Sequence, residues 1–321
     1  MAGLMLAVHI ECGRVDVREA PRPARPPGFA LIRLLAAGIC NTDLELQRGY
    51  YGFSGTPGHE FVGEVVEAGQ PALIGRRVVG EINLACGACD WCRAGLGRHC
   101  PHRTVLGIAG HPGAFSEYFT LPERNLHILP ETIPTERATF AEPVAAACEI
   151  LDQVAISPGG EVAVLGDGKL GLLAAQVLLA HGASVHLYGR HPAKLAIAAA
   201  CGAQTFPSGS LPASRYDWVV EATGSSEGLG AAIRMARPRG TVVMKSTVHG
   251  DVPLDTAPAI VNEITLVGSR CGRFEPALEL LAGGRLRVEE MISDRFPLAQ
   301  AAQAFERAAA GGVLKVLLEA A

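Results

Sequence analysis

Val162-Ala-Val-Leu165 reads as an apolar strand, Gly166-Asp-Gly168-Lys-Leu-Gly171 as a tight loop, and Lys169 to His181 as a helix rich in alanine and leucine. A strand, a G-x-G-x-x-G loop and a helix in that order leave a chain few choices. The first glycine allows the turn, the second admits a pyrophosphate close to the backbone, and the third lets helix and strand pack. The free N–H groups of the helix start then face the phosphates. Gly166, Gly168, Lys169, Leu170 and Gly171 are therefore candidate dinucleotide-binding residues. The alternative is a glycine-rich turn in some other α/β protein.

The alternation continues. Ser184 to Tyr188 reads as a strand, Pro192 to Cys201 as a helix stopped by Gly202, and Trp218 to Glu221 as a strand. Ser226 to Met235 follows as a helix and Thr241 to Lys245 as a strand. Strands alternating with helices imply a parallel sheet covered on both faces. Before Glu142 the texture differs, with many Gly and Pro and short strand-like runs at Leu31 to Leu35, Phe61 to Glu67 and Arg77 to Val79. The expectation is an α/β chain with a β-rich domain over 1–142 and a doubly wound domain over 143–269. A C-terminal segment, 270–321, carries helices near Glu275 to Leu281 and Leu298 to Ala310 and returns to the first domain. The 321 residues suffice for two cores of ordinary size.

The end of the second strand reports on the ribose. An NAD site usually carries Asp or Glu there. This chain reads Leu187-Tyr-Gly189-Arg190-His191, with a guanidinium after the strand and no carboxylate. Gly189 and Arg190, helped by His191 and Lys194, suit a 2′-phosphate through charge-assisted bonds. NADP is therefore favoured over NAD, the alternative being a solvated Arg190 and no preference.

Cys86, Cys89, Cys92 and Cys100 are spaced C-x2-C-x2-C-x7-C, with Gly87, Gly95 and Gly97 between them. Thiols at that spacing suit tetrahedral zinc, and four protein ligands leave no open position, so the ion is structural. The chain start has no basic n-region and meets Glu11 early, and no run approaches the ~18 apolar residues of a membrane span. A soluble, cytoplasmic protein is expected, in which reduced thiols favour metal over disulfides. Twenty-eight basic against thirty-two acidic residues, a net charge of -4, argue against a nucleic-acid partner.

Three further segments carry metal-ligand chemistry: Gly38-Ile-Cys40-Asn-Thr42-Asp43, Gly58-His59-Glu60-Phe-Val-Gly63-Glu64, and Glu142-Pro143. Three protein ligands from Cys, His and Glu, with an open fourth position, make a catalytic zinc site. Taken singly each is weak, since a lone Cys is more often a small core residue.

In their order, these segments, the four-cysteine lobe and the later glycine loop resemble the zinc-dependent medium-chain dehydrogenases over nearly the whole chain. The resemblance implies a GroES-like catalytic domain with a structural zinc lobe at 86–100, a Rossmann domain, and a catalytic zinc in the cleft between them. It also implies a homodimer or homotetramer. Glu142-Pro143 resembles the polyol and threonine dehydrogenase branch, where Glu replaces the second cysteine of liver-type alcohol dehydrogenases. Cys40 and His59 are then zinc ligands, with Glu60 or Glu142 as the third and the two exchanging during turnover. One thiolate and one carboxylate neutralise Zn²⁺, whereas both carboxylates together would weaken it as a Lewis acid. Cys148 is an alternative ligand, or else a core cysteine.

The same resemblance implies that Thr42 takes the proton of the substrate hydroxyl; Asp43 is expected to buttress the ligands, a turn residue after Thr42 being the alternative. Thr223 is implied to lie near the nicotinamide ribose. Lys315 is implied to contact the pyrophosphate, a surface lysine on a terminal strand being the alternative. Glu45 stands where many members have a histidine that completes the proton relay. The chain is shorter than typical members, and the compact stretch from Asp43 to Gly58 is expected to trim the walls of the substrate pocket. The implied function is hydride transfer between a small alcohol or polyol, or its ketone or aldehyde, and NAD(P). Two readings from other classes compete. One is an iron–sulfur electron carrier, from the C-x2-C-x2-C opening. The other is a non-catalytic NADPH-binding redox sensor with the same fold.

Overall fold

The computed structural model describes residues 3–248 and 251–320. The chain divides into Met1–Glu142 with Ile292–Ala321 as one unit and Pro143–Met291 as the other. Among the described residues of the first unit, a seven-stranded sheet holds the order Leu126–Ile128, Arg77–Gly80, Glu60–Glu67, Phe29–Ile39, Lys315–Glu319, Ile292–Pro297, and Tyr118–Pro122 pairs with Phe29–Ile39 off that path. Phe29–Ile39 is apolar along almost its whole length and mostly buried, as a central strand must be. It pairs antiparallel with strands on both sides: Gly38 stands opposite Glu60 on one and opposite Leu317 on the other. The last strand of the chain is thereby set beside the segment that leads into Cys40. Three short strands, Asn83–Leu84, Thr104–Leu106 and Gly110–His111, form a separate small sheet in the lobe that carries the helix Asp90–Arg93.

The second unit is a six-stranded parallel sheet in the order Gln204–Pro207, Ser184–Gly189, Glu161–Leu165, Tyr216–Glu221, Ala236–Met244, Thr265–Gly268. Counted along the unit this is 3-2-1-4-5-6, the Rossmann order. Val162, Val164, Val219, Val220, Val242 and Val243 are all fully buried, which is why these strands are continuous apolar runs rather than alternating ones. The chain is thus α/β, with a β-rich unit and a doubly wound unit of Rossmann strand order.

The return to the first unit comes at Ile292, not at residue 270. The helix Phe274–Ala282 and the loop after it are fixed within the second unit. A Cβ on Gly272 would lie 1.9 Å from the Ala145 carbonyl oxygen, so the backbones pass in close contact there. Gln176 accepts the Arg287 N–H at 2.7 Å and approaches the Met291 sulfur at 3.6 Å. Among the described residues no helix is long and apolar enough to cross a membrane.

Candidate metal centres and cofactor loop

Cys40 caps the helix Asn41–Gln47, and its N–H donates to Asp43 Oδ2 at 2.8 Å. His59 follows Gly58, whose φ of +103° and whose contact with the Phe115 ring exclude a side chain. Glu60 opens the next strand. These three elements bring one ligand atom each from Cys40, His59 and Glu60 within 4.8 Å of one another. His59 Nδ1 and Asp43 Oδ1 are buried atoms without a hydrogen-bond partner, and they face each other at 3.4 Å. That is the arrangement in which a carboxylate orients a metal-ligating imidazole through its far nitrogen. Burial opposes charge on His59, yet Asp43 and Cys40 raise its pKa well above 6.5, so the cluster favours added positive charge. The donor set fits zinc.

Lys315 corrects an expectation. It is no surface residue and no partner of a pyrophosphate, because it is 1% exposed and its Nζ bonds to Glu60 Oε2. Burial alone would lower its pKa, but Glu60, Cys40 and Asp43 hold it above 10.5. The pair reaches across Gly38: a Cβ there would lie 2.5 Å from Glu60 Oε2 and 3.1 Å from Lys315 Cδ. A lysine inside Val313-Leu-Lys-Val-Leu-Leu318 was the available signal, since a charge in a buried apolar strand needs a buried partner. Gly38→Ala is expected to destabilise the protein by about 1–3 kcal/mol through overpacking. A denaturant midpoint equal to that of the wild type would contradict this.

The other expected residues are placed as follows. Thr42 Oγ1 lies 3.7 Å from Cys40 Sγ. Glu45 Oε1 accepts from Arg48 at 2.6 Å. Glu142 sits in the first turn of the helix Ala141–Gln153 and is not in the three-residue ligand group. Cys148 lies further along that helix; burial pushes its thiol up to about 12, which makes it a protonated core cysteine.

In the lobe, Cys86 and Cys92 sulfurs are 3.9 Å apart, Cys89 and Cys92 3.5 Å, and Cys89 and Cys100 3.7 Å. A tetrahedron with Zn–S bonds of ~2.3 Å has edges of about 3.8 Å. The cage therefore suits one ion and leaves no room for an iron–sulfur core. Backbone N–H groups of Ala88 and Cys89 pull the Cys86 thiol down to about 6, toward the thiolate a metal requires. Cys86→Ser is expected to release one zinc per chain and lower Tm by about 5–10 °C, with kcat changed less than about threefold. Thermal melts with metal analysis check it; an unchanged Tm with unchanged zinc would contradict it.

In the glycine loop, a Cβ on Gly166 would lie 2.4 Å from the Ala222 carbonyl oxygen, and one on Gly171 2.0 Å from that of Gly166. Both glycines are required by packing within the protein. A Cβ on Gly168 would meet nothing within 4 Å, so the open space beside it is available to a ligand. Gly168 caps the helix Lys169–His181, whose first turn includes Lys169 and Leu170. This fits a dinucleotide pyrophosphate. Arg190 is exposed beyond the buried Gly189, with His191 and Lys194 half-buried. Thr223 donates its hydroxyl to Glu221 Oε1 at 2.6 Å, as does its N–H at 2.8 Å. Asp167, inside the loop and not singled out in the sequence, accepts the N–H groups of Arg190 and His191.

The family described as Alcohol dehydrogenase GroES-like domain matches residues 26–131, and Zinc-binding dehydrogenase matches 170–283. D-altritol 5-dehydrogenase of Agrobacterium fabrum is 33% identical over 310 residues, covering 91% of this chain and 92% of that protein. D-arabitol-phosphate dehydrogenase of Enterococcus avium is 29% identical over 314 residues, covering 90% and 89%. An alcohol dehydrogenase from Thermus sp. ATN1 has a TM-score of 0.90 at 33% identity, covering 99% of this chain and 100% of that one. A protein from Sinorhizobium meliloti 1021, named as a zinc-binding dehydrogenase and solved bound to NADP, has a TM-score of 0.91 at 31% identity, covering 99% of each chain. The chain belongs to the zinc-dependent medium-chain dehydrogenases, and it is an oxidoreductase that transfers hydride between an alcohol or polyol and NAD(P).

Proposed function

We propose that the substrate is a secondary hydroxyl of a linear polyol or sugar-derived acid, and that NADP⁺ is the favoured oxidant. The names D-altritol 5-dehydrogenase, D-arabitol-phosphate dehydrogenase and L-galactonate-5-dehydrogenase among the relatives support the substrate class. The observation that carries the reading is the group of half-buried Cys40 with buried His59 and Glu60, with buried Asp43 and Lys315 behind it. In this reading Cys40, His59 and Glu60 hold the catalytic zinc, and Glu142 is the carboxylate that exchanges with Glu60.

Bound zinc supplies a Lewis acid that lowers the alcohol's pKa, and bound nicotinamide supplies the hydride acceptor. Thr42, beside Cys40 Sγ, takes the substrate's hydroxyl proton and passes it outward. Asp43 holds His59 and the Cys40 backbone in place. With zinc bound, a thiolate at Cys40 and the carboxylates of Glu60 and Asp43 would balance the dication together with Lys315, whose Nζ bonds to Glu60. A non-catalytic redox sensor is not favoured, because the named relatives are dehydrogenases.

Exposed Arg190, with Lys194 in the helix Pro192–Ala200 that follows, supports the preference for NADP⁺. For the assembly we infer a homodimer or homotetramer that covers the sheet edge Thr265–Gly268, where Ile260, Val261 and Leu266 are exposed beside a strand edge that is unpaired among the described residues. Sedimentation at the mass of one chain would overturn that. A panel of linear polyols, aldonates and simple alcohols, run with both cofactors and followed by nicotinamide absorbance, tests substrate and cofactor together. Turnover confined to simple primary alcohols, or equal kcat/KM with NAD⁺ and NADP⁺, would sink the corresponding half of the proposal.

A further inference from the structure

The sequence lacks a carboxylate at the end of the second Rossmann strand, yet the fold puts one there from another part of the chain. Gly189 closes the strand Ser184–Gly189. A Cβ built on it would lie 2.5 Å from Asp167 Cβ, 2.6 Å from its Oδ2 and 2.7 Å from its Cγ. The space in which a strand-end Asp or Glu side chain would begin is therefore filled by the second residue of the glycine loop.

That carboxylate is fully engaged. Its Oδ2 accepts the Arg190 N–H at 2.7 Å and the His191 N–H at 2.6 Å. His191 Nδ1 lies 3.1 Å from each of the two oxygens. Asp167 is only 7% exposed. Burial opposes its charge, but the donors from His191 and Arg190 hold its pKa below 3.8. An ionised carboxylate only accepts, so Nδ1 of His191 carries the proton and the ring is fixed. Two consecutive N–H groups drawn onto one oxygen set the path of the backbone at the start of the helix Pro192–Ala200. The Arg190 side chain leaves this pinned turn exposed to solvent.

We infer that Asp167 determines cofactor specificity as a positioning residue: it displaces the acceptor that would hold a ribose 2′-hydroxyl and builds the Arg190–His191 turn that holds a 2′-phosphate. This rests on the NADP reading above. It follows that position 189 admits a carboxylate only when Asp167 is removed, so the two positions switch preference together and not singly. A guanidinium facing phosphate gains from charge-assisted, paired hydrogen bonds, but only if the backbone that carries it is held in one conformation.

Titration calorimetry of the zinc-loaded full chain with adenosine 2′,5′-bisphosphate and with 5′-AMP reads this end of the site without turnover. The wild type is expected to bind the bisphosphate about tenfold more tightly than AMP, or better. Asp167→Ala is expected to lose about tenfold in bisphosphate affinity while AMP affinity changes less than about threefold. Asp167→Asn keeps an oxygen for the two N–H groups and should fall between, with a wild-type circular dichroism spectrum. The double variant Asp167→Ala, Gly189→Asp should bind NAD⁺ more tightly than NADP⁺. Equal weakening of both adenosine ligands in Asp167→Ala and Asp167→Asn would make the residue merely structural and overturn the inference. If the wild type prefers neither ligand, the NADP reading fails and takes this one with it. If the wild type prefers the bisphosphate and the Asp167 variants keep that preference in full, this inference alone fails.

Discussion

Cys40→Ser is expected to lower kcat/KM for polyol oxidation by about 10³-fold or more, equivalent to about 4 kcal/mol of transition-state stabilisation. The substitution is nearly isosteric, and the Cys40 N–H bond to Asp43 Oδ2 is made by the backbone, so the helix Asn41–Gln47 keeps its start. What is lost is the sulfur, the one donor in the group that would combine negative charge on a metal with softness. A hydroxyl does not replace it at neutral pH. Steady-state kinetics with a circular dichroism control checks the result. Activity within tenfold of the wild type, with a native spectrum, would remove Cys40 from the chemistry.

Lys315→Met is expected to destabilise the first unit strongly. Lys315 and Glu60 are each 1% exposed and lie 255 residues apart in sequence, so their bond joins the last strand to the strand that opens with Glu60. Truncating one partner of a buried pair leaves the other charged and unsolvated, at a cost of about 3–5 kcal/mol. The Lys315→Met, Glu60→Gln double variant should recover part of that loss, because no bare carboxylate remains. Denaturant midpoints for both proteins decide it. A loss below about 1 kcal/mol in Lys315→Met would show that the pair does not hold the sheet.

What was legible in the sequence was what is local. The helix Lys169–His181 has the residues expected of it, because the glycine loop fixes its start and Gly182, with φ of +97°, its end. The cysteine cage was legible for the same reason, its four ligands lying within fifteen residues, 86–100. Partners distant in sequence were not. Lys315 meets Glu60 only because the terminal strand pairs with Phe29–Ile39 next to Gly38, and sheet order of that kind leaves no trace in a single chain. The Asp167 clamp closes on residues 23 and 24 positions later, and its one sequence mark is a glycine where a strand-end side chain is expected. The hairpin Leu4–Glu11 with Arg14–Pro21 carries little sequence signal because its two-residue turn is Cys12-Gly13, with φ of 48° and 79°. Asn or Asp is the usual first residue of such a turn, and Cys gives no comparable signal. The return at Ile292 is not legible in the sequence, because helical periodicity in Phe274–Ala282 shows that a face is buried, not which unit buries it.

The central claim is a division of labour between two zinc ions: one held by Cys40, His59 and Glu60 for the chemistry, one by Cys86, Cys89, Cys92 and Cys100 for the lobe. Zinc per chain, measured alongside polyol turnover in the wild type, Cys40→Ser and Cys86→Ser, tests it most directly. The account predicts two ions in the wild type and one in each variant, with turnover lost only in Cys40→Ser. One ion in the wild type, or Cys40→Ser that keeps both ions and its turnover, would contradict it.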